Sequence, residues 1–255
     1  MEATQTPLPD SPPAVMHEPR RLSAAQGASL WGEAWRIFCA APGTWIAILL
    51  VYVAISIVLA LIPVIGAVAH MVLTPVFAGG MMLGCHALAR GAPLEFSHLF
   101  AGFQDNRFGP LALLGLILLA LSIVFGIVVL AGLFATIGMS GLSALASHGD
   151  PWAVAGALGV GFLVFLLLAL VGGTLIAMAY WLAPALVVLN GMEPVAALRK
   201  SFDACLTNVG AFLVYGIIYI GLAILASIPL GLGWLVLGPM IGGSCYASWR
   251  QIFSP

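Results

Sequence analysis

The stretch AWRIFCAAPGTWIAILLVY (34–52) decides the fold. It carries one cation, Arg36, on a short segment with helical spacing, and turns apolar from Thr44 onward. No charged residue interrupts positions 44–62, close to the roughly 20 residues a helix needs to cross a bilayer. Residues 197–215, ALRKSFDACLTNVGAFLVY, follow the same plan and align without gaps at an offset of 163. Seven of 19 positions agree, among them Arg36/Arg199, Thr44/Thr207 and Leu50-Val51-Tyr52/Leu213-Val214-Tyr215. Apolar segments resemble one another by composition alone, but arginine and tyrosine are rare in this chain. Their agreement points to an internal repeat.

Composition sets the solvent. Of 255 residues 62% are hydrophobic and only 7% charged. A water-soluble domain carries about 25% charged residues, so most of this surface must face lipid. The net charge of −1 says nothing about partners, and no basic patch points to nucleic acid, so none is expected. Residues 1–28 differ: they hold Pro7, Pro9, Pro12, Pro13 and Pro19 among mixed charges, without the apolar core of a signal peptide. They read as a flexible tail preceding one membrane domain, 29–255.

The apolar runs are 44–62, 67–89, 109–132, 158–189, 210–228 and 232–249. Their uniform apolarity predicts helices, because barrel strands are about ten residues long and alternate. The fold class is therefore all-α, a polytopic bundle of six transmembrane helices. Turns at 62–66 and 228–233 contain proline and glycine. The run 158–189 is too long to cross straight and must tilt, kink or end early at Gly172, Gly173 or Pro184. Residues 133–157 read as a loop holding a short surface helix.

With six spans, all eight lysines and arginines fall on the two tails and the second and fourth connections. The positive-inside rule then puts both termini of a multi-pass chain in the cytosol.

Three short segments precede spans and show helical stripes: Leu30, Ala34, Ile37 and Ala41; Phe96, Leu99, Phe100 and Phe103; Val195, Leu198, Phe202 and Leu206. They read as amphipathic helices lying in the headgroup region, apolar face down. The second, in GAPLEFSHLFAGFQDNRFGPLALLG (91–115), resembles 191–216 in its Gly, Pro and Asn positions. The predicted repeat is thus a surface helix followed by a hairpin of two spans, in units 29–90, 91–190 and 191–255.

No carboxylate pair, nucleophile–base set, phosphate loop or metal spacing is present, so no enzyme, cofactor or metal is expected. Cys39, Cys85, Cys205 and Cys245 include no CxxC. The predicted spans contain no Asp, Glu, Lys or Arg, the residues that mark ion pathways. His70 and His86 read as interfacial polar groups. Arg36, Arg199 and Lys200 are candidates for contact with anionic lipid headgroups, beside their role as cytosolic anchors. Gly80/Gly84 and Gly238/Gly242 are candidates for close helix packing, on each other or on a partner chain. Pro75, Pro184 and Pro239 sit in the returning spans, where kinks open cavities.

The tract APALVVLNGMEPVAALRKSFDACLTNVGAFLVYG (183–216), with the ending GPMIGGSCYASWRQIF (238–253), resembles an uncharacterised family of proteobacterial inner-membrane proteins. The region 184–253 also resembles the membrane domain fused to some bacterial glycerophosphodiester phosphodiesterases. The acidic metal ligands of that enzyme's soluble barrel are absent, so the resemblance implies the membrane setting and not the activity. Expected partners are membrane lipids, with an unknown membrane protein or a second copy as further partners. Two functions remain open: a non-enzymatic scaffold or lipid-associated module, and a permease or channel for an uncharged or lipid-like molecule. A polar cavity at mid-membrane favours the second; a solid apolar core favours the first.

Overall fold

A computed structural model describes residues 18–146, 148 and 150–253. Of the predicted tail 1–28, residues 1–17 therefore lie outside the described part. Among the described residues the structure is helical and has no strand. The first hairpin comprises α1 (Ala24–Ala40), α2 (Pro42–Ala60) and α3 (Ile65–Ala89). A 3₁₀ helix (Phe96–Phe103) leads into the second, α4 (Phe108–Ala146) and α5 (Pro151–Trp181), continued by α6 (Ala183–Asn190). The third comprises α7 (Pro194–Thr207), α8 (Val209–Ser227) and α9 (Trp234–Phe253).

Five stretches are long and apolar enough to cross a membrane: Pro42–Ala60, Ile65–Ala89, Phe108–Leu142, Gly159–Asn190 and Val209–Ser227. The sixth predicted span folds as α9 but is less apolar. The reason lies in its packing. From Pro239 to Trp249 nearly every α9 side chain is buried against α1, α2, α3 or α8, including Ser244 and Ser248. A helix shielded from lipid by its neighbours does not need lipid-like side chains.

The predicted loop 133–157 is replaced by helix on both sides of a short connection. The isolated hydroxyls there do not break α4: Thr136 donates to the Leu133 carbonyl and Ser140 to that of Thr136. Helix α5 starts where Asp150 accepts from the Trp152 amide at 3.1 Å and Pro151 occupies the first turn. At 39 residues α4 is about 58 Å long, against a hydrocarbon core of about 30 Å. The predicted break in the run 158–189 occurs at Leu182, just before Pro184. Backbone groups freed by the break are satisfied by side chains: Ser201 donates to the Met178 carbonyl at 2.8 Å and accepts from the Leu182 amide at 3.0 Å. The Cys245 thiol donates to the Trp181 carbonyl.

The short helices pack differently from the expectation of free interfacial helices. Helix α1 turns Gly27, Leu30, Trp31, Ala34 and Phe38 into α8 and α9. Trp31 stacks on Tyr215 with ring centroids 4.7 Å apart and donates its indole N–H to the Tyr215 carbonyl. A Cβ on Gly27 would collide with the backbone of Ala211, so glycine sets this approach. Helix α7 packs on α5 and α6 through small residues, Ala197, Ser201, Ala204 and Cys205; Val195 and Leu206 of the predicted stripe are about half exposed. The middle element is 3₁₀ rather than α, and it lies against α3. Each short helix thus rests on the returning arm of a different hairpin.

Candidate functional site

The cationic end is tied together by the polar side chains of Glu33, Asn208 and Asn190. Glu33 accepts from Arg250 at 2.8 Å and from Gln251 at 3.0 Å, and Arg36 stands 4.0 Å away. Asn208, almost fully buried, accepts from the Leu22 amide and donates to the Arg20 and Ala204 carbonyls. Trp249 donates to Asn190 at 2.7 Å. These bonds join residues 20–36, 190, 208 and 250 at one end of the bundle.

The candidate headgroup residues lie at this end without converging. The Arg36 side chain is 76% exposed, Arg199 is exposed and Lys200 half-buried; the last two make no ion pair among the described residues. Gly80 and Gly84 receive the segment Leu94–Leu99, and Gly238 faces Leu49 of α2, so these glycines do not pack on each other. Of the thiols, Cys39 is exposed and Cys85, Cys205 and Cys245 are buried. Burial pushes the Cys205 thiol up to about 12. No group of three His, Cys, Asp or Glu side chains comes together among the described residues.

The more distinctive feature is a cavity of about 770 Å³ between α2, α3, α4 and α5. It reaches the α2–α3 turn, where the exposed Ile62 and Val64 border it. Its polar groups are Ser56, His70, Thr74, Ser122 and Tyr180; no Asp, Glu, Lys or Arg lines it. Ser56 donates to the Tyr52 carbonyl at 2.8 Å, and its oxygen lies 3.2 Å from His70 Nε2. With its own proton committed, the serine oxygen accepts, which assigns the hydrogen to Nε2 and leaves Nδ1 an acceptor. Thr74 donates to the His70 carbonyl at 2.7 Å. A second cavity of about 280 Å³ adjoins the first at Thr74 and Tyr180 and extends to Trp45, Met82 and Cys245. Trp181, on its wall, has a buried indole N–H without a partner.

Sequence reasoning flagged His70 as an end-of-helix polar group and missed Ser56, Thr74, Ser122 and Tyr180. The usable signal was proline. Pro75 borders the outer cavity, Pro184 and Pro239 the inner one, as kinks in returning helices lead one to expect.

Helices of this length and apolarity, arranged around an uncharged cavity, define a multi-pass α-helical membrane protein. The chain belongs to the family of the domain of unknown function DUF7847, whose model matches residues 106–249. It is 30% identical over 237 residues to a probable inner membrane protein of Burkholderia thailandensis, covering 89% of this chain and 82% of that protein. No solved structure matches it.

Proposed function

We propose that this protein is a non-enzymatic, lipid-associated module of the bacterial inner membrane. The observation that carries the reading is the uncharged cavity between α2 and α5, continuous with the apolar surface of the bundle. Its lining offers neutral hydrogen-bonding groups, and a charged solute would find no counter-charge there. The exposed Arg36 and Arg199, with Lys200, supply headgroup contacts. The name of the Burkholderia relative supports the membrane setting.

In this reading the chain crosses six times with both termini cytosolic. Helix α9, 20 residues and about 30 Å long, is the sixth crossing. Its return to the cationic end is supported by the Arg250–Glu33 pair. Three units related about the membrane normal are supported by the packing of α1 on α9, the 3₁₀ helix on α3, and α7 on α5 and α6. Pro75, Pro184 and Pro239 then occupy corresponding places.

The test is native mass spectrometry of the full chain released from mild detergent. Retained lipid at a fixed stoichiometry is expected; a lipid-free chain overturns the reading. The junction of the two cavities at Thr74 and Tyr180 favours a second reading, a permease for an uncharged or lipid-like molecule. Flux across proteoliposomes separates the two.

A further inference from the structure

We infer that the paired cavities are a binding site for an uncharged, hydroxyl-bearing, single-chain amphiphile, its head at Ser56 and His70 and its chain running past Thr74 and Tyr180 towards Met82. The inference rests on the lipid-associated reading and deepens it by naming the site and the ligand class.

The volume is that of a built pocket. At about 770 Å³ the outer cavity lies within the range of small-molecule sites, roughly 300–1,000 Å³. Polarity is graded along it. The hydrogen-bonding cluster of Ser56, His70 and Thr74 stands on the first turns of α3 and the last turns of α2, towards the α2–α3 turn. Beyond Tyr180 the wall is mostly apolar, with Ile48, Leu49, Met81 and Met82, and its polar groups are Tyr52, one orphaned indole N–H on Trp181 and the Cys245 thiol. An amphiphile has this same gradient, with its polar head at the interface and its chain deeper in the membrane.

The head must be neutral. No charged residue lines either cavity, and burying an unpaired carboxylate or phosphate costs several kcal/mol or more. The head must also donate. The Ser56 hydroxyl is committed to the Tyr52 carbonyl and its oxygen to His70, which leaves His70 Nδ1 as a free acceptor at the cluster. A hydroxyl meets that acceptor and can accept from Tyr180 or Ser122 in return. A hydrocarbon leaves the cluster unsatisfied, and a carboxylate brings a charge the cavity cannot pair.

The test uses the full chain in mild detergent with hexadecanol carrying a diazirine on its chain. On irradiation, labels should map by peptide sequencing to the cavity wall on α2, α3, α5 and α9, and excess unlabelled hexadecanol should abolish them. Palmitate at neutral pH and hexadecane should compete at least tenfold less well. Ala177 is exposed at the cavity rim, so Ala177→Trp fills the space without entering the core, and labelling should fall at least tenfold. His70→Gln should weaken competition by about tenfold, the equivalent of one hydrogen bond. Labels spread over the outer faces of α4 and α8, labelling untouched by Ala177→Trp, or equal competition by palmitate each overturn the inference. Native mass spectrometry of the same variant keeps the two proposals apart. Lipid retained by Ala177→Trp as by the unaltered chain overturns this site and leaves the lipid-associated reading standing; loss of all lipid from the unaltered chain overturns that reading.

Discussion

Asn208 shows how one polar side chain organises the cationic end. It is 1% exposed and bonded to three backbone groups on two segments. Asn208→Leu leaves the Leu22 amide and the Arg20 carbonyl without their partner, at a cost of about 1–3 kcal/mol each where water cannot replace it. We expect the apparent Tm in detergent to fall by several degrees, while Gln104→Leu, at an exposed position with extended backbone, leaves it unchanged; equal melting of the two variants contradicts this role. The cysteines give a second check. Cys39 is exposed and should react with maleimide within minutes at pH 7.5. Burial holds the Cys205 thiol at about 12, so the thiolate is scarce throughout the neutral range and becomes abundant only as pH nears that value. Labelling of Cys205 that climbs steeply between pH 7 and 9 in the folded protein would refute it.

Among the elements, α1 is the one whose role changed most between sequence and structure. Its stripe of Leu30, Ala34 and neighbours is legible in the sequence, but a stripe does not say whether it meets lipid or protein. Gly27 decides the matter, by allowing α1 to touch the backbone of α8. Gly27→Leu should unseat α1 and expose the segment 18–40 to limited proteolysis, whereas Gly32→Leu, with open space around it, should not. Equal protease resistance of the two variants would show that α1 is not held through this contact. The break between α5 and α6 was legible because Pro184 lacks the N–H that would bond back into α5 and suits the first turn of a new helix. Its stabilisation was not, because Ser201 and Cys245 come from helices remote in sequence. The 3₁₀ geometry of Phe96–Phe103 was missed for a related reason: the spacing i, i+3, i+4, i+7 suits an α-helix, but Gly102 and Gly80 let this segment settle against α3 in a tighter turn.

For the whole molecule, the arrangement of charge makes the sharpest prediction. Every cation in the described residues lies outside the five long apolar stretches, and the α4–α5 connection carries His148 and Asp150. A reporter fused after Pro255 should therefore be active in the cytosol, and one inserted after His148 in the periplasm; the reverse result overturns the six-crossing topology. Helical class, the hairpins, their punctuation by proline and the collection of cations at one end were all determined by the sequence alone. They depend on local propensity and on the free energy of transferring each segment into lipid, and both can be read residue by residue. What only the tertiary structure decided was the partner of each face: α9 shielded despite its serines, α1 seated on α8, and Ser56, His70, Thr74, Ser122 and Tyr180 gathered around one cavity. Those outcomes depend on the fit between surfaces distant along the chain, and in a sequence this uniformly apolar every face looks equally able to meet lipid.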